Sequence, residues 1–253
     1  GTDAERLQAL QSMLDDPELD AILCARGGYG LIRIIDQLKF TRFRKKPKWV
    51  IGFSDVTILH AHLNRVIGVA SLHSKMCNSF PDDWLAAEPE QQQSIELIQR
   101  CLSGQPMEYR VAAHPANKVG VATAKLIGGN MKTLEALLNS KSDLQTDHHI
   151  LFLEDTGEYA YSIDRLFWTF QRAGKLDHIK GLIVGGFKVK KDEDPDGFAL
   201  TVPELVWEKL TDCPFPVCFD FPVGHQKHNL PLKCGVLHRL EVADSGVVLT
   251  SLQ

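Results

Sequence analysis

The sequence lacks most of the features that would place a protein at a membrane, on nucleic acid or in an oxidising compartment. No stretch approaches the ~20 consecutive apolar residues of a transmembrane helix, and no signal-peptide pattern is present at its start. The net charge is -4, which argues against general binding to a phosphate backbone. The six cysteines form no Cys-x-x-Cys pair, and 44% hydrophobic residues suffice for a core without disulfides. We therefore expect a soluble protein of a reducing compartment with no membrane or nucleic-acid partner.

The sequence also lacks a pattern that would hold a metal or a cofactor. His60 and His62 form a His-x-His pair, but residues two apart on a helix do not share a face, and no further ligand stands at suitable spacing. The glycine-rich turn 26–30 could cradle a phosphate, yet Arg33 replaces the third glycine of the Gly-x-Gly-x-x-Gly pattern. We expect neither metal nor cofactor, and a nucleotide-binding module remains an alternative.

What the first half of the sequence does contain is an alternation of helical and strand-like segments. Leucines at helical spacing predict a helix over residues 4–14 that Asp3 caps, and an apolar run predicts a strand over 21–25. A helix over 31–38 and a second strand ending at Phe53 follow. Such alternation predicts a parallel sheet whose functional crevice lies beyond the carboxyl ends of its strands.

The corner Gly52-Phe53-Ser54-Asp55 lies where this second strand turns into a helix. A serine at such a corner projects its hydroxyl from a sharp turn, and the amide of Asp55 lies at a helix N-terminus that attracts negative charge. This arrangement suits a nucleophile beside half of an oxyanion hole. The alternative is an ordinary helix N-cap, because Val56 replaces the second glycine of the Gly-x-Ser-x-Gly elbow.

The remaining sequence predicts a linker and a second domain. Residues 103–122 show no sustained period, which favours a nucleophile-bearing domain over 1–102, a linker over 103–122 and a mixed α/β domain over 123–253. Other expected elements are helices over 91–102 and 163–170, strands over 150–153, 181–184 and 216–219, and a hairpin around 244–246. A short basic cluster predicts a solvated loop, with a partner-binding patch as the alternative; it consists of Arg42, Arg44, Lys45, Lys46 and Lys48.

Two polar residues of the second half complete a possible catalytic set with Ser54. Glu154 follows an apolar strand, where a carboxylate could orient a base, and His225 follows another strand in a loop stiffened by proline. Alternatively, Glu154 is a surface carboxylate and His225 is simply an exposed loop histidine. His228 lies near enough in sequence to be confused with His225. A serine nucleophile needs a base, and the base needs an acid to fix its tautomer. Each of the three residues is expected to terminate a strand.

Six segments of the sequence together resemble the LD-carboxypeptidases, a serine peptidase family that includes muramoyltetrapeptide carboxypeptidase and the microcin C self-immunity proteins. The segments occur in family order and span nearly the whole chain. They are the start 1–14, Ala25-Arg26-Gly27-Gly28-Tyr29-Gly30, Ile51-Gly52-Phe53-Ser54-Asp55-Val56-Thr57, Leu126-Ile127-Gly128-Gly129-Asn130, Leu153-Glu154-Asp155-Thr156-Gly157-Glu158 with Asp164-Arg165, and Phe221-Pro222-Val223-Gly224-His225.

The resemblance implies roles for individual residues. Ser54 would be the nucleophile, Glu154 the acid and His225 the base, and the backbone amides of Asp55 and Gly28 would form the oxyanion hole. It also implies a Rossmann-like N-terminal domain, a C-terminal domain that supplies the acid and the base, and a metal-independent cytoplasmic homodimer. The expected reaction is release of the terminal D-alanine from a murein tetrapeptide.

The same resemblance leaves two alternatives and one departure. Microcin-type members hydrolyse acyl-adenylates, and the resemblance implies that an aromatic loop before the Gly-Gly-Asn motif holds the nucleobase. Here residues 103–127 contain one aromatic, Tyr109, which favours the murein substrate. A catalytically inactive protein that binds murein fragments is the other alternative. Family members carry a first strand and helix before the point where this sequence begins, so we expect an unpaired sheet edge, and Ser74-Lys75 stands where Gly-Pro is common.

Overall fold

Two β-sheets carry the residues of interest in the computed structural model, which describes residues 1–191, 197–198 and 200–252. The first sheet has the strand order β1-β2-β3-β9. Its first three strands run parallel, and β9 is antiparallel to β3. The central strands β2 and β3 are largely buried, as expected for parallel strands covered on both faces, although β3 also buries the polar residues Ser71 and His73. The strands are β1 (Ala21–Leu23), β2 (Trp49–Gly52), β3 (Ser71–His73) and β9 (Leu232–Cys234).

The second sheet has the strand order β4-β11-β10-β5-β6-β7-β8. Strands β5 to β8 are parallel, whereas β10 and β11 form the predicted antiparallel hairpin. This sheet and the first one confirm the expected α/β fold. The strands are β4 (Glu108–Val111), β5 (Gly120–Asn130), β6 (Ile150–Tyr159), β7 (Gly181–Lys190), β8 (Val217–Cys218), β10 (Leu237–Ala243) and β11 (Gly246–Ser251).

Helices flank both sheets. The amphipathic helix α6 buries Ile163, Leu166, Phe167 and Phe170 along one stripe against the core. Within the described residues, none of the helices combines the length and the apolar character needed to cross a membrane. The helices are α1 (Asp3–Asp15), α2 (Thr41–Lys45), α3 (Thr57–His62), α4 (Pro89–Leu102), α5 (Met131–Glu135), α6 (Ala160–Arg172) and α7 (Val202–Lys209).

Three expectations about local structure are wrong in detail. Thr2, not Asp3, caps α1, because its hydroxyl accepts from the Glu5 amide in a reciprocal capping box. The helix expected over 31–38 consists of two separate 3-10 turns, Leu31–Arg33 and Ile35–Gln37. Residues 103–122, expected to be a linker, contain β4, which pairs with β11 at the edge of the second sheet, and the first residues of β5.

The basic cluster is solvated as expected at four of its five cations, but it forms a short helix rather than a loop, and its fifth cation is buried. Its first residues form the short helix α2, and Lys48 is buried with its ammonium 3.0 Å from the carbonyl oxygen of Met13. Arg44 donates to the carbonyl oxygen of Val66 at 2.7 Å. These cations therefore bind backbone carbonyls near the ends of neighbouring segments, and burial needs such partners because an unpaired ammonium loses its hydration.

Candidate active site

Ser54 occupies a strained corner between β2 and α3. Its φ of 64° lies in the left-handed region, which costs a non-glycine residue roughly 1–2 kcal/mol. The residue that precedes the helical turn is Phe53, and no side chain caps that turn. The alternative of an ordinary N-cap is therefore wrong for Ser54. A strained serine whose hydroxyl is not used for capping is typical of a nucleophile elbow.

His60 supports this corner from the buried side. Its Nε2 lies 2.8 Å from the carbonyl oxygen of Gly52, and its Nδ1 lies 2.8 Å from the hydroxyl of Ser71. Burial lowers the pKa of His60 to about 4, so the ring is neutral at neutral pH. The Nδ1 atom of His62 instead lies 2.9 Å from the Ser142 hydroxyl. In the part of the chain that the structure describes, no group of three or more potential metal ligands assembles.

The glycine turn 26–30 packs directly against the elbow. A Cβ atom placed on Gly27 would lie 2.8 Å from Cβ and 3.0 Å from Oγ of Ser54, so only glycine fits there. Gly28 has a φ of 82°, and the space around its missing side chain is open. Among the described residues, its amide has no hydrogen-bond acceptor. The turn thus packs Gly27 against Ser54, and, within the described chain, the residue that follows Gly27 has a free backbone N–H group.

Glu154 lies inside the second sheet rather than at the end of a strand. Strand β6 continues to Tyr159, and Glu154 is fully buried in its middle, opposite Asn130 of β5. Both the expected strand end and the alternative of a surface carboxylate are therefore wrong. On the other side, the β6–β7 pairing shifts register next to Glu154. Such a bulge is a common device for aiming a side chain at a site.

The His225 loop folds back over this bulge. Gly186, which lies within the register shift, donates its amide to the Val223 carbonyl at 3.0 Å. A Cβ atom on Gly185 would lie 2.7 Å from the same carbonyl, and one on Gly224 would lie 2.4 Å from Oε2 of Glu154. Glycines at these positions let the loop approach the sheet. His225 lies in a loop after a strand, as expected, but β8 already ends at Cys218, so His225 does not terminate that strand.

Glu154 and His225 form a close pair. Nδ1 of His225 lies 2.7 Å from Oε2 of Glu154, and the backbone amide of His225 donates to the same oxygen at 3.2 Å. An ionised carboxylate can only accept, so Nδ1 carries the hydrogen and Nε2 presents a lone pair. The side chain of His225 is 20% exposed, which leaves its ring accessible at the surface of the site. By contrast, the Nε2 atom of His228 is buried without a partner among the described residues.

Two contacts connect the neighbours of Ser54 with this pair. Thr57, one helical turn after Ser54, accepts a hydrogen bond from the Asn130 amide at 3.1 Å, and Asn130 is the register partner of Glu154. On the other side, the rings of Phe53 and His225 lie 4.8 Å apart. Within the described residues, no hydrogen bond joins the Ser54 hydroxyl to His225. These contacts bring Ser54, which follows β2 of the first sheet, near the pair formed by Glu154 of the second sheet and His225 of the adjoining loop.

Sequence reasoning missed several groups around this site. His73 is fully buried beside Phe53 and Phe152, and burial holds its pKa well below the usual range. Lys75 is also buried, with its ammonium 3.5 Å from the carbonyl oxygen of Gln226. Burial, together with the charge of Lys188, lowers the pKa of Lys75. The unusual residue pair after His73 could have drawn attention to Lys75, whereas nothing in the sequence marks His73.

Comparison with known proteins identifies the family to which the chain belongs. Residues 1–74 match the LD-carboxypeptidase N-terminal domain, and residues 123–240 match the LD-carboxypeptidase C-terminal domain. The fold and the two matched domains define a carboxypeptidase of two α/β parts. The chain belongs to the LD-carboxypeptidase family, as the six sequence segments predicted.

Individual relatives agree with this assignment. A protein of Synechocystis sp. named "Putative carboxypeptidase" is 33% identical over 252 residues, which cover 98% of this chain and 78% of the relative. The murein tetrapeptide carboxypeptidase of Pseudomonas aeruginosa is 29% identical over 234 residues, which cover 90% of this chain and 75% of the relative.

Solved structures share the fold. Muramoyltetrapeptide carboxypeptidase from Oxalobacter formigenes superimposes with a TM-score of 0.86 at 21% identity, covering 99% of this chain and 84% of that chain. The microcin C7 self immunity protein MccF in complex with aspartyl sulfamoyl adenosine gives a TM-score of 0.84 at 20% identity, covering 99% and 82%. Both likenesses concern the fold alone.

Proposed function

We propose that this chain is a serine-type LD-carboxypeptidase that releases the terminal D-alanine from murein tetrapeptides. The observation that carries the proposal is the strained, uncapped Ser54, whose neighbour Phe53 lies 4.8 Å, ring to ring, from His225 of the Glu154–His225 pair. The names of the relatives support the substrate class, since one of them is a murein tetrapeptide carboxypeptidase. Ser54 is the nucleophile, His225 the general base, and Glu154 the acid that fixes the tautomer of His225.

The reaction proceeds by acyl transfer. Nε2 of His225 takes the proton of the Ser54 hydroxyl, and Oγ attacks the scissile carbonyl carbon. The amides of Asp55 and Gly28 hold the resulting oxyanion, and such a donor typically contributes ~3–4 kcal/mol to the barrier reduction. The C–N bond then breaks, and the leaving amine of D-alanine receives the proton from His225. Water, deprotonated by His225, cleaves the acyl-enzyme and restores Ser54. The bond from Ser54 to His225 forms in the substrate complex, where catalytic hydrogen bonds commonly tighten.

Hydrolysis of an acyl-adenylate is the second candidate, because the fold of MccF superimposes on this chain. The sole aromatic residue of the segment 103–127 is Tyr109, which is buried and donates its hydroxyl to the Pro231 carbonyl. Tyr109 is therefore unavailable to stack on a nucleobase, and this favours the murein peptide.

The test compares two substrates and two variants. We expect the wild-type chain to release D-alanine from a murein tetrapeptide faster than it cleaves an aminoacyl-sulfamoyl adenosine. Ser54→Ala should abolish release while the melting temperature stays near that of the wild type, and a fluorophosphonate probe should label the wild type but not Ser54→Ala. Retention of more than a few per cent of D-alanine release by Ser54→Ala would refute the proposal.

The family resemblance also implies a homodimer in the cytoplasm, and both remain proposals. Sedimentation equilibrium of the purified chain tests the first: a mass twice that of the 28.3 kDa chain is expected. A monomer that is fully active would contradict it.

A further inference from the structure

The carboxylate of Asp55 reaches from the elbow to the glycine turn. Its Oδ2 accepts a hydrogen bond from the amide of Leu31 at 2.9 Å, across a separation of 24 residues in sequence. Asp55 is buried, and its side chain does not cap the helical turn in which it lies. A buried carboxylate that binds a distant amide instead of its own helix indicates a specific structural task, because burying the charge is costly.

The turn that this carboxylate holds has few other constraints. Its start is fixed where the Asn78 amide donates to the Ala25 carbonyl at 3.0 Å. Near its end, Arg6 of α1 donates to the Tyr29 carbonyl at 3.1 Å. Gly28 has open space around it and no acceptor for its amide among the described residues. Glycine backbones have wide conformational freedom, so the position of the Gly28 amide depends on how firmly the two ends are held.

The guanidinium of Arg6 packs closely against the glycine turn. Gly30 has a φ of 131°, and a Cβ atom on it would lie 1.8 Å from Nη1 of Arg6. Burial raises the pKa of Asp55, while the Leu31 amide, the charge of Arg6 and the Gly30 amide partly offset that rise. Arg6 thus lies close to both the turn and the carboxylate, and compensates part of the buried charge.

We propose that the side chain of Asp55 is a positioning residue that fixes the Gly28 amide as the second donor of the oxyanion hole. The inference rests on the proposed function. One residue then serves both halves of the hole, since its own amide is the first donor and its carboxylate anchors the turn that bears the second. The distance between the two donors then depends on this side chain as well as on the contacts of Ala25 and Tyr29. Preorganised donors stabilise the transition state without reorganising, and small misplacements are costly.

The proposal is tested with two substitutions of Asp55 that differ in one property. Asp55→Ala removes the acceptor, whereas Asp55→Asn retains an amide oxygen that can accept from Leu31. We expect Asp55→Ala to lower kcat for D-alanine release by about 10- to 100-fold with little change in KM, since the ground-state complex does not need the oxyanion hole. Asp55→Asn should restore kcat to within a few-fold of the wild type. If Asp55→Ala fails to fold, Asp55→Leu fills the space without an acceptor and replaces it.

Hydrogen exchange at the Leu31 amide provides a readout independent of turnover. Exchange should accelerate in Asp55→Ala and stay near the wild-type rate in Asp55→Asn. Wild-type kcat in Asp55→Ala, or equal loss of kcat in both variants, would overturn the inference while Ser54→Ala remains inactive. An active Ser54→Ala would instead refute the proposed function itself, so the two failures are distinguishable.

Discussion

One oxygen of Glu154 receives two hydrogen bonds from a single residue, the imidazole Nδ1 of His225 at 2.7 Å and the backbone amide of His225 at 3.2 Å. Because both the ring and the main chain of His225 are held, the carboxylate fixes the ring orientation as well as its tautomer. The other oxygen, Oε1, is buried without a partner among the described residues. The pairing therefore depends on one oxygen atom.

Replacing Glu154 with glutamine tests this dependence. In Glu154→Gln, an amide can present its NH2 group to Nδ1, which would favour the wrong tautomer of His225. We expect kcat for D-alanine release to fall on the order of 10³-fold or more, as is typical when the acid of such a triad is neutralised. Steady-state kinetics measure the change, and Glu135→Gln, whose carboxylate pairs with Lys132 at 2.7 Å outside the site, serves as the control. Equal kcat values in the two variants would remove Glu154 from the mechanism.

A methyl group on Gly27 tests the close approach of the glycine turn to Ser54. Gly27→Ala should lose most of its turnover, because the new Cβ atom would lie 2.8 Å from Cβ of Ser54 and displace the turn. The matched control is Gly68→Ala, where φ is 75° and the surrounding space is open. We expect the control to lose about 1 kcal/mol of unfolding free energy from backbone strain but to keep its activity. Urea unfolding and kcat of both variants provide the comparison, and an active Gly27→Ala would contradict the packing.

Replacing Phe53 with leucine tests whether the ring of His225 needs an aromatic neighbour. The two ring centroids lie 4.8 Å apart, and Phe53 also lies 5.9 Å from the ring of His73. Phe53→Leu keeps an apolar side chain but removes the flat face against His225. We expect kcat to fall roughly 10-fold with an unchanged KM, because a looser imidazole is less often aligned with Ser54. A proportional rise in KM instead would indicate that Phe53 contacts the substrate.

The pH dependence of stability tests the environment of Asp155, which adjoins Glu154 in β6. Burial raises the pKa of Asp155 to about 6, although the amides of Lys132 and Thr156 both donate to its carboxylate at 2.7 Å. The folded state therefore binds this proton more tightly than the unfolded chain does, and stability falls as the pH rises from about 4 to about 6. Relative to Asp155→Asn, the wild type should lose up to roughly 3 kcal/mol of unfolding free energy across that range. Chemical denaturation at several pH values gives the two curves, and parallel curves would be incompatible with a raised pKa.

The α/β fold, the corner at Ser54 and the family could be predicted from the sequence because they depend on local patterns. The residues 49–51, 150–153 and 181–184 are apolar runs that mark strands, and each family segment is a short local stretch of the sequence. The full length of β6 was missed because the strand becomes polar from Glu154 onward, where it pairs with β7. Strands β3 and β9 have only three residues each, too few to show a period.

The parts of the site that escaped prediction depend on contacts between distant residues. The bonds from Leu31 to Asp55 and from Asn130 to Thr57 join segments whose local sequences contain no sign of their partners. The positive φ of Ser54 is likewise imposed by the packing of the turn and α3, since serine has no intrinsic preference for that region.

Strand β9 has a consequence for the order of events during synthesis. It completes the sheet of Ser54, yet it is encoded after the segment that carries Glu154 and His225. A ribosome must therefore release almost all of the described chain before the sheet next to Ser54 can gain its last strand. Translation that stops before β9 leaves an unfinished sheet, and a product that stops before residue 225 contains Ser54 without His225.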